Sequence, residues 1–200
     1  NGLPTLRERE GRNWAGEDGG IAPRAENAWL RTKGTTSHFV PDDAVVPYEY
    51  DQDIFEAQGG VDGLFYDGAA GQFLAGVTGR YVVSATDLTS AVGNGSIYTH
   101  GYGLGLTATW LGTNGVYADA QGQVTWFNSD LKADDLRGVY DQDAVGYAVG
   151  LEVGQRFENG SFGFTPQAQL VYGNVSMDDL TGSYSDYARF GDQYSLVGRL

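Results

Sequence analysis

The amino-acid sequence predicts an all-β fold, a transmembrane antiparallel β-barrel with about eight strands within 200 residues. The segment from Gly101 to Phe127 alternates apolar residues with small or polar ones at a period of two, which is the side-chain period of a β-strand. The apolar row of its first arm ends in Tyr102 and Trp110, about 26 Å apart along the strand; at a tilt of around 40° this is about 20 Å along the membrane normal, near the roughly 25 Å apolar band between the aromatic girdles of outer-membrane barrels. No stretch approaches the length of an apolar transmembrane helix, so a membrane role requires a barrel.

The same alternation predicts the other strands in chain order, and turn residues mark their ends. The predicted strands are 28–32, 55–63, 73–81, 101–110, 116–126, 145–154, 164–172 and 194–200. Pro166 removes a ladder hydrogen-bond donor and predicts a bulge or a strand end. Short glycine-rich turns at 67–71, 112–115 and 158–161 alternate with long polar segments at 33–52, 84–100, 128–143 and 173–193. Because outer-membrane barrels place short turns on the periplasmic side, the first strand is predicted to ascend from the periplasm.

The N-terminal segment differs in composition from the strands. Residues 3–14 have a proline near their start, many charged residues and Gly11 near their end. This pattern predicts a short helix. Residues 15–27 read as a flexible linker. We therefore divide the chain into a helix and linker at 1–27 and a barrel at 28–200.

Each predicted strand has a polar or small face, assigned to the lumen, and an apolar face, assigned to lipid. The predicted lumen-lining residues are Glu56, Asp62, Arg80, Gly101, Gly103, Gly105, Asp119, Gln121, Gln123, Glu152, Arg156, Gln167 and Gln169. The predicted membrane aromatic belt is Phe73, Tyr81, Tyr102, Trp110, Trp126, Tyr147, Phe164 and Tyr172. The lumen glycines have two interpretations: they leave room for a helix or an extended segment in transit, or they relieve crowding in a tightly tilted sheet. We expect the carboxylates of Asp119 and Glu152 to pair with Arg80 or Arg156, because a buried charge needs a partner.

Composition and motifs exclude several classes of function. The net charge of -14 makes nucleic acid a poor partner, and the absence of cysteine removes disulfide and thiolate chemistry. His38 and His100 fall in or beside different long segments, and the acidic clusters match no calcium loop. We therefore predict no metal site and no cofactor. No signal peptide is visible, so we expect a mature fragment or an excised domain.

Several motifs together resemble one protein family. They are LREREGRNW, AWLRTKG, YDQDIFEAQGGVDGLFY, GNGSIYTHGYGLGLTATWLGTNGVYADAQGQVTWFNSDL, GYAVGLEVGQRF and FTPQAQLVYGNVSMDD. From about Leu6 to its end, the chain resembles the β-domain of classical monomeric autotransporters, the translocators of type V secretion. The resemblance implies a twelve-stranded barrel in the outer membrane and a helical linker that threads its lumen to an exported N-terminal passenger. The chain stops in what resembles the family's eighth strand, so the expected barrel is incomplete and C-terminally truncated.

The resemblance predicts a translocator and anchor domain in the outer membrane of a Gram-negative bacterium, with its loops facing the cell surface. The expected partners are its own passenger segment in the lumen, outer-membrane lipids and the barrel-assembly machinery; we expect a monomer. Two other hypotheses are a passive outer-membrane pore or small structural barrel, and a soluble β-sandwich or lectin-like binding module. Some family members cut their own passenger with acidic lumen residues that activate an asparagine, which draws attention to Asp119, Glu152 and Asn1. We expect these carboxylates to serve in charge pairs and the domain not to be an enzyme.

Overall fold

The computed structural model describes residues 2–10, 26–40, 48–90, 93–134, 139–159, 162–177, 180–181, 187–188 and 191–200. These described residues form one short helix, α1 (Leu6–Glu10), and twelve strands. The strands are β1 (Glu26–Phe39), β2 (Tyr48–Gly68), β3 (Gly71–Ser90), β4 (Gly93–Gly112), β5 (Val116–Ala133), β6 (Val139–Gln155), β7 (Phe157–Asn159), β8 (Phe162–Phe164), β9 (Gln167–Met177), β10 (Leu180–Thr181), β11 (Tyr187–Ala188) and β12 (Gln193–Arg199).

Eight of these strands form one antiparallel sheet in the order β1-β2-β3-β4-β5-β6-β9-β12. Within this sheet, each strand pairs with the next strand of the sheet along the chain. The strand pairs β7–β8 and β10–β11 form two small hairpins outside it. The predicted fold class and the number of main strands are therefore confirmed. Pro166 lies between β8 and β9, as predicted for a strand end, and its carbonyl oxygen accepts a hydrogen bond from the N–H of Gln155 at 3.1 Å.

The strands are much longer than the apolar alternation predicted. β3 continues to Ser90 and β4 resumes at Gly93, so most of the predicted long segment at 84–100 is strand. Much of 33–52, 128–143 and 173–193 is strand as well, and the prediction of long polar loops there was wrong. The reason is physical: once both faces of a sheet meet water, nothing requires an apolar face, and the two-residue signal disappears although the ladder hydrogen bonds continue.

The two ends of the sheet differ. At one end, tight turns join β2 to β3 and β4 to β5, as predicted, and we call this the turn end. Gly115 in the second turn has φ of 81°, in the left-handed region that favours glycine, and its N–H donates to the carbonyl of Gly112 at 3.1 Å. We call the opposite end, where the strands run on as polar ladders, the extended end.

Burial is reversed relative to a soluble β-protein. The buried side chains of the sheet are mostly polar: Glu56, Gln58, Asp62, Thr78, Thr107, Thr109, Asp119, Gln121, Gln123, Thr125, Glu152 and Gln169. Large apolar side chains on the other face are exposed, with Leu104 and Leu106 each at 66% of full exposure. Apolar side chains outside and polar ones inside is the pattern of a transmembrane barrel, whose outer surface meets lipid.

The sheet curves around its polar face. Arg31 in β1 and Arg199 in β12 belong to opposite ends of the strand order, and a flat sheet would separate those strands by roughly 34 Å. Yet Nη2 of Arg31 donates to the carbonyl oxygen of Gly2 at 2.8 Å, and Nη1 of Arg199 donates to that of Leu3 at 3.2 Å. Because these two acceptors belong to adjacent residues, the sheet wraps around them. The polar face is therefore the concave inner face, and the apolar face is the outer face.

The helix starts at Leu6, later than the predicted residue 3, and its cap explains why. Thr5 and Glu8 form a capping box: the N–H of Glu8 donates to Oγ1 of Thr5 at 3.3 Å, and the N–H of Thr5 donates to Oε2 of Glu8 at 2.7 Å. Pro4 thus precedes the cap instead of opening the helix. Residues 11–14 and most of the predicted linker lie outside the described residues, and β1 begins at Glu26, two residues before the predicted barrel boundary. Within the described part of the chain, no helix has the length and apolar character needed to cross a bilayer.

Candidate functional site: the inner face and residues 2–10

Arg9 lies between two carboxylates of the inner face. Its side chain is fully buried; Nη1 donates to Oδ1 of Asp62 at 3.3 Å, and Nη2 donates to Oδ1 of Asp119 and to Oγ1 of Thr109 at 3.3 Å. Asp62 belongs to β2 and Asp119 to β5, so one guanidinium links the helix to two separated strands. Buried charges persist where they are paired and hydrogen-bonded, and a planar guanidinium is suited to two carboxylates at once.

Neutral donors complete the shell around both carboxylates. Oδ1 of Asp62 accepts from the hydroxyl of Thr107 at 2.6 Å, and its Oδ2 accepts from the indole N–H of Trp29 at 3.0 Å. Asp119 accepts from Thr109 at 2.6 Å and, through Oδ2, from the amide of Gln121 at 2.7 Å. All four carboxylate oxygens of Asp62 and Asp119 therefore accept hydrogen bonds, and the guanidinium of Arg9 lies between the two carboxylates.

Glu152 holds the first turn of the helix. It is 1% exposed, and its Oε2 accepts a hydrogen bond from the main-chain N–H of Leu6 at 3.2 Å, while Oε1 accepts from the Tyr117 hydroxyl at 2.9 Å. The side chain of Leu6 is fully buried in an apolar cluster with Leu74, Leu111 and Tyr117 at the turn end. Leu6 is thus fixed by its main chain and by its side chain.

Residues 2–4 precede the helix without forming a strand, and their carbonyl groups accept hydrogen bonds from inner-face donors. Besides the two arginine contacts to the carbonyls of residues 2 and 3, the carbonyl oxygen of Pro4 accepts from the amides of Gln121 at 2.8 Å and Gln169 at 3.1 Å. A Cβ at Gly150 would lie 3.0 Å from Cδ1 of Leu3, so this glycine gives the segment room. Leu3 and Pro4 are both buried. The segment packs against the inner face along its whole described length.

A second charged group lies further toward the extended end. Glu56 of β2 accepts from Nη2 of Arg31 at 3.1 Å and from Nη2 of Arg80 at 2.7 Å, so it forms ion pairs with one arginine from each flanking strand. Arg31 also lies 3.5 Å from Oε2 of Glu8. The prediction that Asp119 and Glu152 pair with Arg80 or Arg156 was wrong for Asp119, whose cation is Arg9, a residue far away in sequence. Arg80 pairs with Glu56 instead.

The other predicted lumen residues fall around this network. Gln123 is buried two residues beyond Gln121; its amide donates to Thr125 at 3.2 Å. Oε1 of Gln167 lies 3.3 Å from the Tyr117 hydroxyl. Arg156 follows β6 near the turn end, where its main-chain N–H donates to the carbonyl of Gly115 at 2.8 Å.

The predicted lumen glycines of β4 face side chains of the neighbouring strands. A Cβ at Gly103 would lie 2.7 Å from Oγ1 of Thr125, and one at Gly105 would lie 2.6 Å from Oγ1 of Thr78. A Cβ at Gly101 would likewise lie 2.7 Å from Cδ1 of Phe127. At these three positions the spacing favours the interpretation that glycine relieves crowding between strands. Room for the N-terminal segment is provided elsewhere.

Aromatic residues of the outer face form two rows. The row nearer the turn end is Phe73, Trp110 and Phe164, and the row nearer the extended end is Tyr81, Tyr102, Trp126, Tyr147 and Tyr172. Within the second row, the ring centroids of Tyr81 and Tyr102 lie 5.1 Å apart. The strands between the rows carry exposed aliphatic side chains, so the two rows bound an apolar band.

Beyond the second row, the outer face is charged. Asp51 lies opposite His38 in the β1–β2 register, with Nδ1 and Oδ1 2.6 Å apart, and its hydrogen bond and charge raise the pKa of His38. Asp130 and Asp141 face each other in the β5–β6 register, and the hydrogen bond and charge of Asp130 raise the pKa of Asp141. Side chains this polar belong in water or among headgroups, outside the apolar band.

Comparison with known proteins agrees with this geometry. The family model described as "Autotransporter beta-domain" matches residues 28–200. The chain belongs to the autotransporter β-domain family. The adhesin BmaC autotransporter of Brucella suis biovar 1 is 37% identical over 212 aligned residues, and the probable autotransporter YfaL of Escherichia coli is 26% identical over 187. These alignments cover 100% and 87% of this chain but only 6% and 14% of the relatives' own lengths.

Solved autotransporter structures share the fold. The β-domain of the Bordetella autotransporter BrkA has a TM-score of 0.67 at 23% identity, covering 88% of this chain and 68% of that one. The transport unit of the autotransporter AIDA-I from Escherichia coli has a TM-score of 0.63 at 20% identity, covering 92% of this chain and 67% of that one. At this level of identity the similarity shows the fold alone.

Sequence reasoning missed several inner-face residues of this autotransporter β-domain. Arg31, Arg199, Trp29, Gln58 and Tyr117 were not named as site residues, although two signals were available. An arginine within a membrane strand faces the interior by default, which applies to Arg31. The pattern Thr5-x-x-Glu8 is a capping box, which would have placed the helix start. No sequence signal connects Arg9 to Asp62 and Asp119, because the contact arises only when the segment lies within the curved sheet.

Proposed function

We propose that this domain is the outer-membrane translocator and anchor of an exported passenger, and that residues 2–10 occupy the barrel lumen as its plug. The observation that carries the proposal is the burial of Arg9 and Leu6 against the inner face, with ion pairs and hydrogen bonds to strands across the sheet. A chain that enters a barrel from one end and forms its first strand at the other has threaded the lumen. The predicted lumen-lining residues are then the wall of this channel.

The outer face supports a membrane location for the domain. The exposed aliphatic band between two aromatic rows matches what lipid requires, and we propose outer-membrane lipids as its partner. A lipid-covered outer face needs no second copy of the chain, which agrees with a monomer. Insertion of such a barrel needs an assembly machinery, which we propose as a transient partner. The strongly negative charge gives no basis for a nucleic-acid partner.

The path of the N-terminal segment supports an orientation. Leu6 packs at the turn end, whereas Gly2 lies by Arg80, nearer the extended end. A passenger on the N-terminal side of Gly2 therefore leaves through the extended end, where the strands carry polar and charged side chains on the outer face too. We propose that the extended end faces the cell surface and the turn end faces the periplasm.

Asp119 and Glu152 have a binding role in this proposal. Asp119 neutralises Arg9, and Glu152 accepts hydrogen bonds from Leu6 and Tyr117, so both carboxylates retain the plug. We assign no catalytic step to either. Full passenger release by wild type, abolished in Asp119→Asn and in Glu152→Gln, would contradict this assignment.

The experiment places a reporter ahead of Asn1 in the natural full-length protein and measures its surface exposure with external protease. The translocator proposal expects the reporter to be cleaved on intact cells, while barrel insertion is monitored separately by heat-modifiable electrophoretic mobility. A passive pore or small structural barrel inserts equally well but never exposes the reporter. A domain that stays monomeric in buffer without detergent contradicts the membrane proposal altogether.

A further inference from the structure

We infer that Arg31, Gln121, Gln169 and Arg199 form a binding site for the main chain of an extended polypeptide, largely independent of its sequence. We call these four residues the carbonyl track. The inference rests on the proposed translocator function and names what the lumen recognises in its substrate: successive peptide carbonyl groups of a passenger segment in transit.

The carbonyl track meets the carbonyls of residues 2–4, a segment that lies outside the helix and the strands. The carbonyl of Gly2 is bound from β1 by Arg31, and the next carbonyl, that of Leu3, is bound from the far end of the sheet by Arg199. The third, that of Pro4, is bound by Gln121 of β5 and by Gln169 of β9, the strand beside β12. Donors thus surround the segment and meet three consecutive carbonyls.

The polar contacts of these three residues with the sheet involve main-chain atoms, because glycine, leucine and proline side chains have no polar atoms. Every residue of a passing polypeptide presents the same carbonyl group, and a buried carbonyl without a donor is costly. The track residues are all donors, from arginine and glutamine side chains. Where the helix begins, the inner face instead provides an acceptor: Glu152 accepts the main-chain N–H of Leu6. Side-chain identity matters further on, where Leu6 enters the apolar cluster and Arg9 meets two carboxylates.

The channel continues beyond the track toward the extended end. A cavity of about 280 Å³ adjoins Gly2 and is lined by Arg80, Thr125, Phe127, Asn174 and Tyr194 among others. A Cβ at residue 2 would lie 2.6 Å from Cζ of Arg80, the far end of a flexible side chain that is ion-paired with Glu56. A residue larger than glycine can therefore pass here once Arg80 shifts. The cavity provides the space into which an extended segment moves.

The test compares two double variants of the natural full-length protein. The track variant is Gln121→Leu with Gln169→Leu. The matched control is Gln52→Leu with Gln155→Leu, which removes two glutamines outside the predicted lumen lining whose amides donate to Thr86 and to the carbonyl of Asn114. Two reporters of unrelated sequence are placed ahead of Asn1, and the rate at which each becomes accessible to external protease is measured at equal levels of inserted barrel. In parallel, the open fraction of each purified protein is recorded in planar bilayers.

The track variant is expected to slow both reporters by the same factor, on the order of tenfold for two lost hydrogen bonds, with the control within about twofold of wild type. The open fraction of the track variant should rise by a similar factor, because the plug's own carbonyls lose donors. Unchanged or faster transit, equal slowing in the control, or slowing of only one reporter overturns the inference. If wild type inserts but never exposes either reporter, the translocator function fails, and the open fractions alone decide whether the track binds main chain.

Discussion

Replacing Arg9 with alanine removes the cation that Asp62 and Asp119 share. The side chains of the three residues are 0%, 3% and 0% exposed, so the variant leaves two carboxylates facing a plug that no longer neutralises them. Removing one partner of a buried ion pair costs about 3–5 kcal/mol. The cost falls on the plugged state, because water solvates both carboxylates once the segment has left. Plug occupancy relative to the open state should therefore fall by roughly a hundredfold to a few thousandfold.

The assay is the open fraction of single barrels of the natural full-length protein in planar bilayers. Arg7→Ala is the matched control, since it removes the same charge from the same helix at an exposed position. Arg9→Lys keeps the charge but loses the planar guanidinium, so its open fraction should lie between wild type and Arg9→Ala. Adding Asp62→Asn and Asp119→Asn to Arg9→Ala removes the stranded charges and should restore much of the closure.

Two results would refute this reasoning. An open fraction for Arg9→Ala within about twofold of wild type would mean that the ion pairs contribute little to plug retention. An equal rise in Arg7→Ala would mean that helix charge in general, and not this contact, holds the segment. If the asparagine substitutions fail to restore closure, packing by the arginine side chain and not charge neutralisation is responsible.

Three further outcomes follow from the structure. Gly154→Ala places a Cβ 2.5 Å from Cε1 of Tyr117, so the ring must shift; denaturant unfolding in lipid vesicles should show a loss of about 1–3 kcal/mol, against about 0.5 or less for Gly122→Ala, where nothing lies within 4 Å. Leu104→Arg on the outer face should cost about 2–4 kcal/mol in the same assay, whereas a small effect, no larger than that of Leu104→Val, would argue against contact with lipid. The raised pKa of Asp141 means that the native state loses stability as pH rises above the usual carboxyl range, so Asp141→Asn should raise the unfolding temperature at pH 8 but not at pH 4; an equal shift at both pH values would show that charge repulsion is not the cause.

The sequence was sufficient for the fold class, and the reason is local. Strands that separate water from lipid must alternate, and from 101 to 126 the alternation fixes which residues share a face without knowledge of any partner strand. The failed predictions lie where that constraint ends. The polar ladders of β3 and β4 toward Ser90 and Gly93 have water on both faces, so their residues obey no period and were predicted as loops.

The candidate site was predictable only in part, because face and position are different properties. Alternation placed Asp62, Asp119 and Glu152 on the inner face, but their cation and donors come from strands and a segment distant in the chain. The expected partner of Asp119 was Arg80 or Arg156, whereas its observed partner is Arg9, 110 positions away.

The sequence by itself thus determined an antiparallel sheet with an apolar outer face, polar inner face and two aromatic rows, because each property depends on a residue and its near neighbours. The tertiary structure alone decided what fills the concave side. Curvature brings the two ends of the sheet, at Arg31 and Arg199, onto adjacent carbonyls of one segment, and it brings two distant carboxylates within reach of one guanidinium. Such contacts depend on closing the sheet around a chain, and no local period encodes that closure.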